Sequence, residues 1–317
     1  MHKQTVNELC LHFSLEPQSP LLIKSGRESG ADPNLPDMNF VRIDHALLGQ
    51  TVYLPGSSLK GVLRAHAERI ARTLNLKNVC DPLGAQSCGK KVETLRRQEN
   101  QAKPNGADIY RTACPICRIF GHTAQASHLS LSDAYPQEAI TTADLSTRDG
   151  VAIDRISGAV AYGPFTIEVV TRGRFGGRLY LHNFQLWQVG LLAIVLRDLG
   201  QGRVPLGYGK SRGLGRVSLT YEQLEIAYPG YFEPSNDLDF ARRLYGVGAL
   251  PVAEGEGYDF EPDDEVDLPS TVEVTDHMWG RPKLVIEGPE AILPILKATV
   301  PKWKNFANST TRIAEGA

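Results

Sequence analysis

No run of about eighteen consecutive apolar residues occurs in the 317-residue chain, which argues against a membrane-spanning helix. The N-terminus lacks the basic-then-apolar pattern of a secretion signal, so the expectation is a non-secreted, cytoplasmic protein. No segment repeats at a fixed period, and no long low-complexity tract interrupts the sequence. Charge of one sign is also lacking: the net value is −2, which by itself gives no reason to expect a polyanionic partner. That average conceals a division. Residues 222–276 hold fifteen Asp/Glu and two Lys/Arg, which leaves 32 Lys/Arg against 21 Asp/Glu, a net of about +11, on the rest of the chain. A basic body carrying one acidic segment suits a nucleic-acid surface, with a merely solvated face as the alternative.

A nucleotide-binding loop is missing too, although "LGYGKSRGLG" at 206–215 contains Gly-Lys-Ser. A P-loop needs glycine where Val204 stands, and a dinucleotide fingerprint starting at Gly207 needs glycine where Arg212 stands. The surroundings are reversed as well: a helix-like run (184–199) precedes the loop and a strand-like run (216–221) follows it, whereas a P-loop follows a strand and opens a helix. What is there is a glycine-rich loop with Lys210, Arg212 and Arg216, either able to bring backbone and cations close to some other anion or simply a solvated connection between helix and strand.

The opening "ELCLHFSLE" alternates Leu9, Leu11, Phe13 and Leu15 with Cys10, His12 and Ser14, which predicts a half-buried strand; Cys10 is read as a small hydrophobe. A polar loop from Lys24 to Asp44 follows, then a turn at Pro55-Gly56 and a helix with Leu59, Val62, Leu63, His66, Ile70 and Leu74 at helical spacing, with Ser57 or Ser58 as N-cap. "GVAIDRISGAVAYGPFTIEVV" reads as a β-hairpin with Gly158 or Gly163 near its turn, "GRLYLHN" as a strand, and the apolar run from Phe184 as a helix sandwiched in the core. Strand, helix, strand pair, helix, strand is the order of an α+β, ferredoxin-like or RRM-like domain. Beyond about residue 250 the sequence predicts an acidic linker, a short strand (283–286) and a helix (289–299).

Four of the five cysteines fall within 38 residues as Cys80-x7-Cys88-x25-Cys114-x2-Cys117. The "CPIC" spacing lets a tight knuckle aim both thiolates at one ion, and four thiolates make a closed, structural zinc site. The intervening insertion (77–121) has little apolar content and suits a metal staple. A thioredoxin-like redox pair at Cys114 and Cys117 is the alternative, and His122 and His128 are reserve ligands.

"LPGSSLKGVLRAHAERI", "GVAIDRISGAVAYGPFTIEVV" and "GYGKSRGLGRV", in that order, resemble the RAMP superfamily, specifically the repeated backbone subunit of type III CRISPR effector complexes; "CPICRIFG" is similar to its zinc-bearing variants. The likeness covers roughly residues 5–225. It implies a modified ferredoxin-like fold with a zinc-binding insertion, a β-hairpin thumb at about 135–170 and a C-terminal extension after about 250. It further implies that the chain assembles along a CRISPR guide RNA beside neighbouring subunits, with the thumb kinking the guide–target duplex, and that a loop aspartate cleaves complementary target RNA with Mg2+ or another divalent ion.

On that reading the helix mouth at Ser57 and Ser58 offers amides to a phosphate, with Lys60 and Arg64 adding charge. Plain capping, and a solvated helix face for Lys60 and Arg64, are the alternatives. Gly207, Gly209 and Gly213 give an RNA strand access to the loop, Lys210 and Arg212 neutralise its phosphates, and Arg155 meets RNA near the thumb unless it pairs with Asp154 or Asp149. Cleavage needs a carboxylate to hold a metal or orient a 2′-hydroxyl against the adjacent phosphorus. Asp37 best matches the catalytic position, Asp32 is second, and Asp44 is structural. Two rivals are a guide-processing endonuclease using His45 or His66, and a non-catalytic RNA-binding assembly subunit.

Overall fold

The computed structural model describes residues 3–26, 38–74, 79–97, 104–231, 238–251, 257–261 and 263–315. Strand β1 (Glu8–Pro17) opens the chain and buries Leu9, Leu11, Phe13 and Leu15 on one face. A small antiparallel ribbon, β2 (Arg42–His45) with β3 (Gly49–Val52), precedes helix α1 (Gly56–Thr73). Three helices then cross the insertion: α2 (Cys88–Arg97), α3 (Gly106–Thr112) and α4 (Pro115–Phe120). Next come the short strands β4 (Leu129–Leu131) and β5 (Tyr135–Pro136), the hairpin β6 (Ser146–Ile153) with β7 (Val160–Val169), and β8 (Phe175–His182). Helix α5 (Leu186–Gly200) and strand β9 (Val217–Ala227) complete the repeat.

The main sheet has the order β9-β1-β8-β4, antiparallel at every pairing of that path. With α1 after β1 and α5 after β8, this is the βαββαβ arrangement of a ferredoxin-like domain. The second strand of that repeat is the three-residue β4, and the β6–β7 hairpin is an excursion between β4 and β8. Helices α1 and α5 share the buried face of the sheet. His66 pins them together, its Nε2 lying 2.8 Å from Asp198 Oδ2.

Beyond β9 the chain adds β10 (Arg243–Tyr245) paired with β11 (Glu265–Asp267), then β12 (Val274–Thr275), β13 (Lys283–Glu287) and α6 (Pro289–Glu315). The sequence reading ends this helix at 299. The helix continues through Pro294 and Pro301, because Trp303, Phe306 and Ala307 extend its apolar stripe and are buried. Phe306 stacks on Trp187 of α5 at 4.1 Å between ring centroids, and β13 pairs with β9. The C-terminal segment is therefore part of the sheet and of the core. Among the described residues no helix is long and apolar enough to cross a membrane.

The candidate RNA cleft and metal centre

Hairpin β6–β7 stands out from the body. Its turn is closed by Asp154, which accepts from the amides of Ile156 and Ser157 and from the Ser157 hydroxyl. Asp149 instead accepts from Thr166 Oγ1, so neither carboxylate takes Arg155, which is exposed at the tip and has no ion pair among the described residues. Ile156 beside it is 97% exposed. At the hairpin's base a concavity is lined by Met38, Ala161, Phe165, Tyr208 and Arg212, among others. The Arg212 guanidinium lies 5.9 Å from the Phe165 ring centre and 5.8 Å from that of Tyr208. A cation between two aromatic rings offers charge for a phosphate and stacking surfaces for bases.

The glycine loop forms the other wall, with Lys210, Arg212 and Gly213 exposed. Its glycines do different jobs. A Cβ on Gly207 would lie 2.1 Å from the Leu22 carbonyl oxygen, and one on Gly209 2.4 Å from the Leu214 side chain. Internal packing thus demands glycine at these two positions. At Gly213 a Cβ would meet nothing within 4 Å, so the access reading has open space there alone among the three.

The mouth of α1 departs from the sequence reading. Pro55, not a serine, occupies the N-cap position, and its own side chain makes no capping bond. The Gly56 amide is taken by Asp133 Oδ1 at 2.8 Å. Ser57 and Ser58 lie inside the first turn, where their amides point out of the helix start, next to a carboxylate that weakens the attraction for a phosphate. Lys60 Nζ donates to the Leu129 carbonyl at 2.9 Å, and burial holds its pKa below the usual lysine value. Arg64 turns toward the cysteines: its Nη2 lies 3.4 Å from Cys117 Sγ. The spacing of Lys60 and Arg64 on one helical face was legible, but the elements that face covers were not.

Four sulfurs, from Cys80, Cys88, Cys114 and Cys117, lie within 4.8 Å of one another. Cys80 and Cys117 sulfurs are 3.5 Å apart, and those of Cys80 and Cys114 3.7 Å. A tetrahedron with metal–sulfur bonds of about 2.3 Å has edges of roughly 3.8 Å, so these cysteines can hold a metal ion such as zinc. Cys114 N–H donates to Cys88 Sγ at 3.2 Å and Cys117 N–H to Cys114 Sγ at 3.4 Å, the kind of bonds that steady metal-bound thiolates. The thiols perturb one another: hydrogen bonds from Cys117 and Cys88 hold Cys114 well below the usual thiol range, while the bond to Cys114 pushes Cys88 up to about 12. The reserve histidines are engaged elsewhere. His122 Nδ1 accepts from the Ala124 amide, and His128 Nδ1 meets the His182 carbonyl at 2.8 Å. Helix α4, which carries "CPIC", is buried through Ile116, Ile119 and Phe120, so this half of the insertion is anchored by the main core as well as by its cysteines. Cys10 lies apart, its thiol pushed up to about 11 chiefly by burial.

Asp32 and Asp37 fall outside the described residues. The described end of their loop is held firmly: Met38 pairs with β7, the amide of Met38 donating to the Thr166 carbonyl at 3.2 Å. Arg42 meets Glu168 at 2.5 Å, a contact that sequence reasoning missed because 126 residues separate the partners. Asp44 is exposed on β2, facing Gln50. His45 Nδ1 accepts from the Leu47 and Leu48 amides, closing the β2–β3 turn.

The open face of the main sheet carries paired charges of both signs. Lys283 and Glu225 are 2.9 Å apart, and Arg174 and Glu222 3.0 Å.

An antiparallel ferredoxin-like core with a protruding hairpin, a basic glycine loop and a cysteine knuckle defines the class. The sequence matches the RAMP superfamily over residues 14–218, more than half of the chain, and the protein belongs to that superfamily. Membership fits a CRISPR-associated, RNA-binding role with RNA and effector-complex partners. No curated protein matches the chain.

Proposed function

We propose that this protein is the guide-RNA-binding backbone subunit of a type III CRISPR effector complex. It lies in the cytoplasm, packs against neighbouring backbone subunits, and cleaves complementary target RNA at regular intervals. The observation that carries this reading is the concavity at the hairpin base, where Arg212, Phe165 and Tyr208 combine charge with stacking surface beneath an exposed hairpin. The sheet face, where many RRM-like proteins stack bases, is the weaker alternative because its carboxylates would repel a phosphate chain.

Met38 lines the same concavity, and its chain neighbour is Asp37. On this reading Asp37, or Asp32 next, holds a divalent ion or orients the attacking 2′-hydroxyl, so that the phosphorus–5′-oxygen bond breaks as the 2′-oxygen–phosphorus bond forms. The four cysteines hold a structural zinc that supplies folding energy and no open coordination position. His45 closes a turn and His66 pairs with Asp198, so neither favours the guide-processing alternative.

The test is the assembled complex incubated with guide-complementary RNA, with and without Mg2+. Evenly spaced cuts that require Mg2+ and vanish in Asp37→Ala, with guide binding intact, are expected. Protection without cutting would instead identify the non-catalytic assembly subunit, and a purified complex free of RNA would overturn the reading altogether.

A further inference from the structure

Arg64 sits where sequence reasoning places a phosphate contact, yet all three of its hydrogen bonds point inward. Nη2 donates to Cys117 Sγ at 3.4 Å, Nη1 to the Gly121 carbonyl at 3.1 Å and Nε to Glu68 Oε1 at 3.0 Å. Glu68 is only 8% exposed, and its second oxygen receives Arg72 Nη2 at 3.3 Å. Arg72 in turn reaches the Cys80 carbonyl at 3.1 Å. Residues 64, 68 and 72 follow one stripe of α1 at four-residue spacing. That stripe touches the insertion at its first cysteine and at its last.

We propose that Arg64 is a positioning residue for the metal centre: its guanidinium is the outer partner that steadies the Cys117 thiolate and slows loss of the ion. This rests on the metal-centre reading of the four cysteines.

Four thiolates around a divalent ion leave an excess of two negative charges, and outer donors to sulfur lower that repulsion. Among the described residues Arg64 is the one side-chain cation bonded to a cluster sulfur. The guanidinium keeps its proton at any ordinary pH. Its rigid fork can span a sulfur, a carbonyl and a carboxylate together, which a lysine ammonium on a flexible stem cannot. The Gly121 carbonyl lies just past α4, so the same side chain also fixes the end of the helix that carries Cys117. Glu68 orients the guanidinium, and Arg72 keeps Glu68 in place.

The experiment uses the full chain. Zinc content is measured first, then the rate at which zinc passes to an excess of a chromogenic chelator, for wild type, Arg64→Gln and Arg64→Lys. Loss of an outer partner costs roughly 10–100-fold in metal affinity, and release from Arg64→Gln should accelerate within that range, with Arg64→Lys between it and wild type. A purely structural role is separated by cobalt substitution. Loss of the N–H···S bond raises the thiolate donor level, so the sulfur-to-cobalt charge-transfer band of Arg64→Gln should move to longer wavelength, and guide-RNA affinity should not change. Zinc release and band position equal to wild type in both variants, or a fall in RNA affinity without faster release, would overturn the inference. A wild-type chain that neither contains nor takes up zinc would instead overturn the metal-centre reading on which it stands. Should Arg64→Gln fail to fold, the release rate of Arg64→Lys decides.

Discussion

The carboxylate of Glu168 lies 2.5 Å from the Arg42 guanidinium and 2.7 Å from the Phe40 amide, so the segment after the aspartate loop is fastened to a strand of the hairpin. Glu168 is 2% exposed and Arg42 17% by side chain. Breaking a fully buried pair costs about 3–5 kcal/mol; Arg42 retains some water, so Glu168→Gln should cost roughly 2–3 kcal/mol, read from the denaturant midpoint. On the proposed function the variant keeps its guide RNA but cuts target more slowly, because Met38, next to Asp37, depends on the same strand. An unchanged midpoint would remove the pair from this role.

The glycine loop should separate stability from RNA binding. Gly207→Ala drives a methyl into the Leu22 carbonyl at a left-handed φ of 70° and should prevent stable folding. Gly213→Ala meets open space at φ 79°, costing about 1 kcal/mol of backbone strain, with RNA retained. Arg212→Ala should bind RNA more weakly on every sequence and lower the slope of log affinity against log salt by about one. A slope equal to wild type would take Arg212 off the phosphate path.

The terminal helix should behave as core. Phe306→Ala removes a ring stacked on Trp187 and should cost about 3–5 kcal/mol, read by thermal or chemical unfolding. Deleting residues after 299 should be worse, since Trp303 is lost as well. Wild-type stability in either variant would return the tail to the status of an appendage.

Periodicity made β1 and α5 legible, because the first has one face against water and the second almost none; the hairpin, exposed along β6, was legible from the glycines near its turn. The three-residue β4 was too short to show alternation, and α6 ran past a proline that sequence rules treat as a stop. Side-chain direction was the deeper limit. Lys60 and Arg64 sit on the polar side of α1 in any helical projection, yet the elements packed over that side turn them toward Leu129 and Cys117. Asp133 filling the mouth of α1, and Glu168 gripping Arg42, join residues 77 and 126 positions apart, beyond the reach of any local pattern. The cysteine cluster was legible because its chemistry names its own partners.

Among the described residues, Asp264 is the one acidic-segment carboxylate whose burial predicts a pH effect. It accepts from the Leu186 amide at 2.8 Å and the Gly248 amide at 3.2 Å, closing the start of α5 with a residue from the C-terminal segment. Burial pushes its pKa up to about 7 from 3.8, against the pull of those two amides. A carboxyl that protonates more readily when folded gives its full stabilisation below the unfolded pKa and loses it as pH rises toward the folded one. Between about pH 4 and 7 this group should lower stability by up to about 1.4 kcal/mol per pH unit. Asp264→Asn gives up one acceptor but cannot ionise, so its unfolding midpoint should fall less steeply than that of wild type across that window. Parallel curves for the two proteins would mean that Asp264 ionises alike in the folded and unfolded chains.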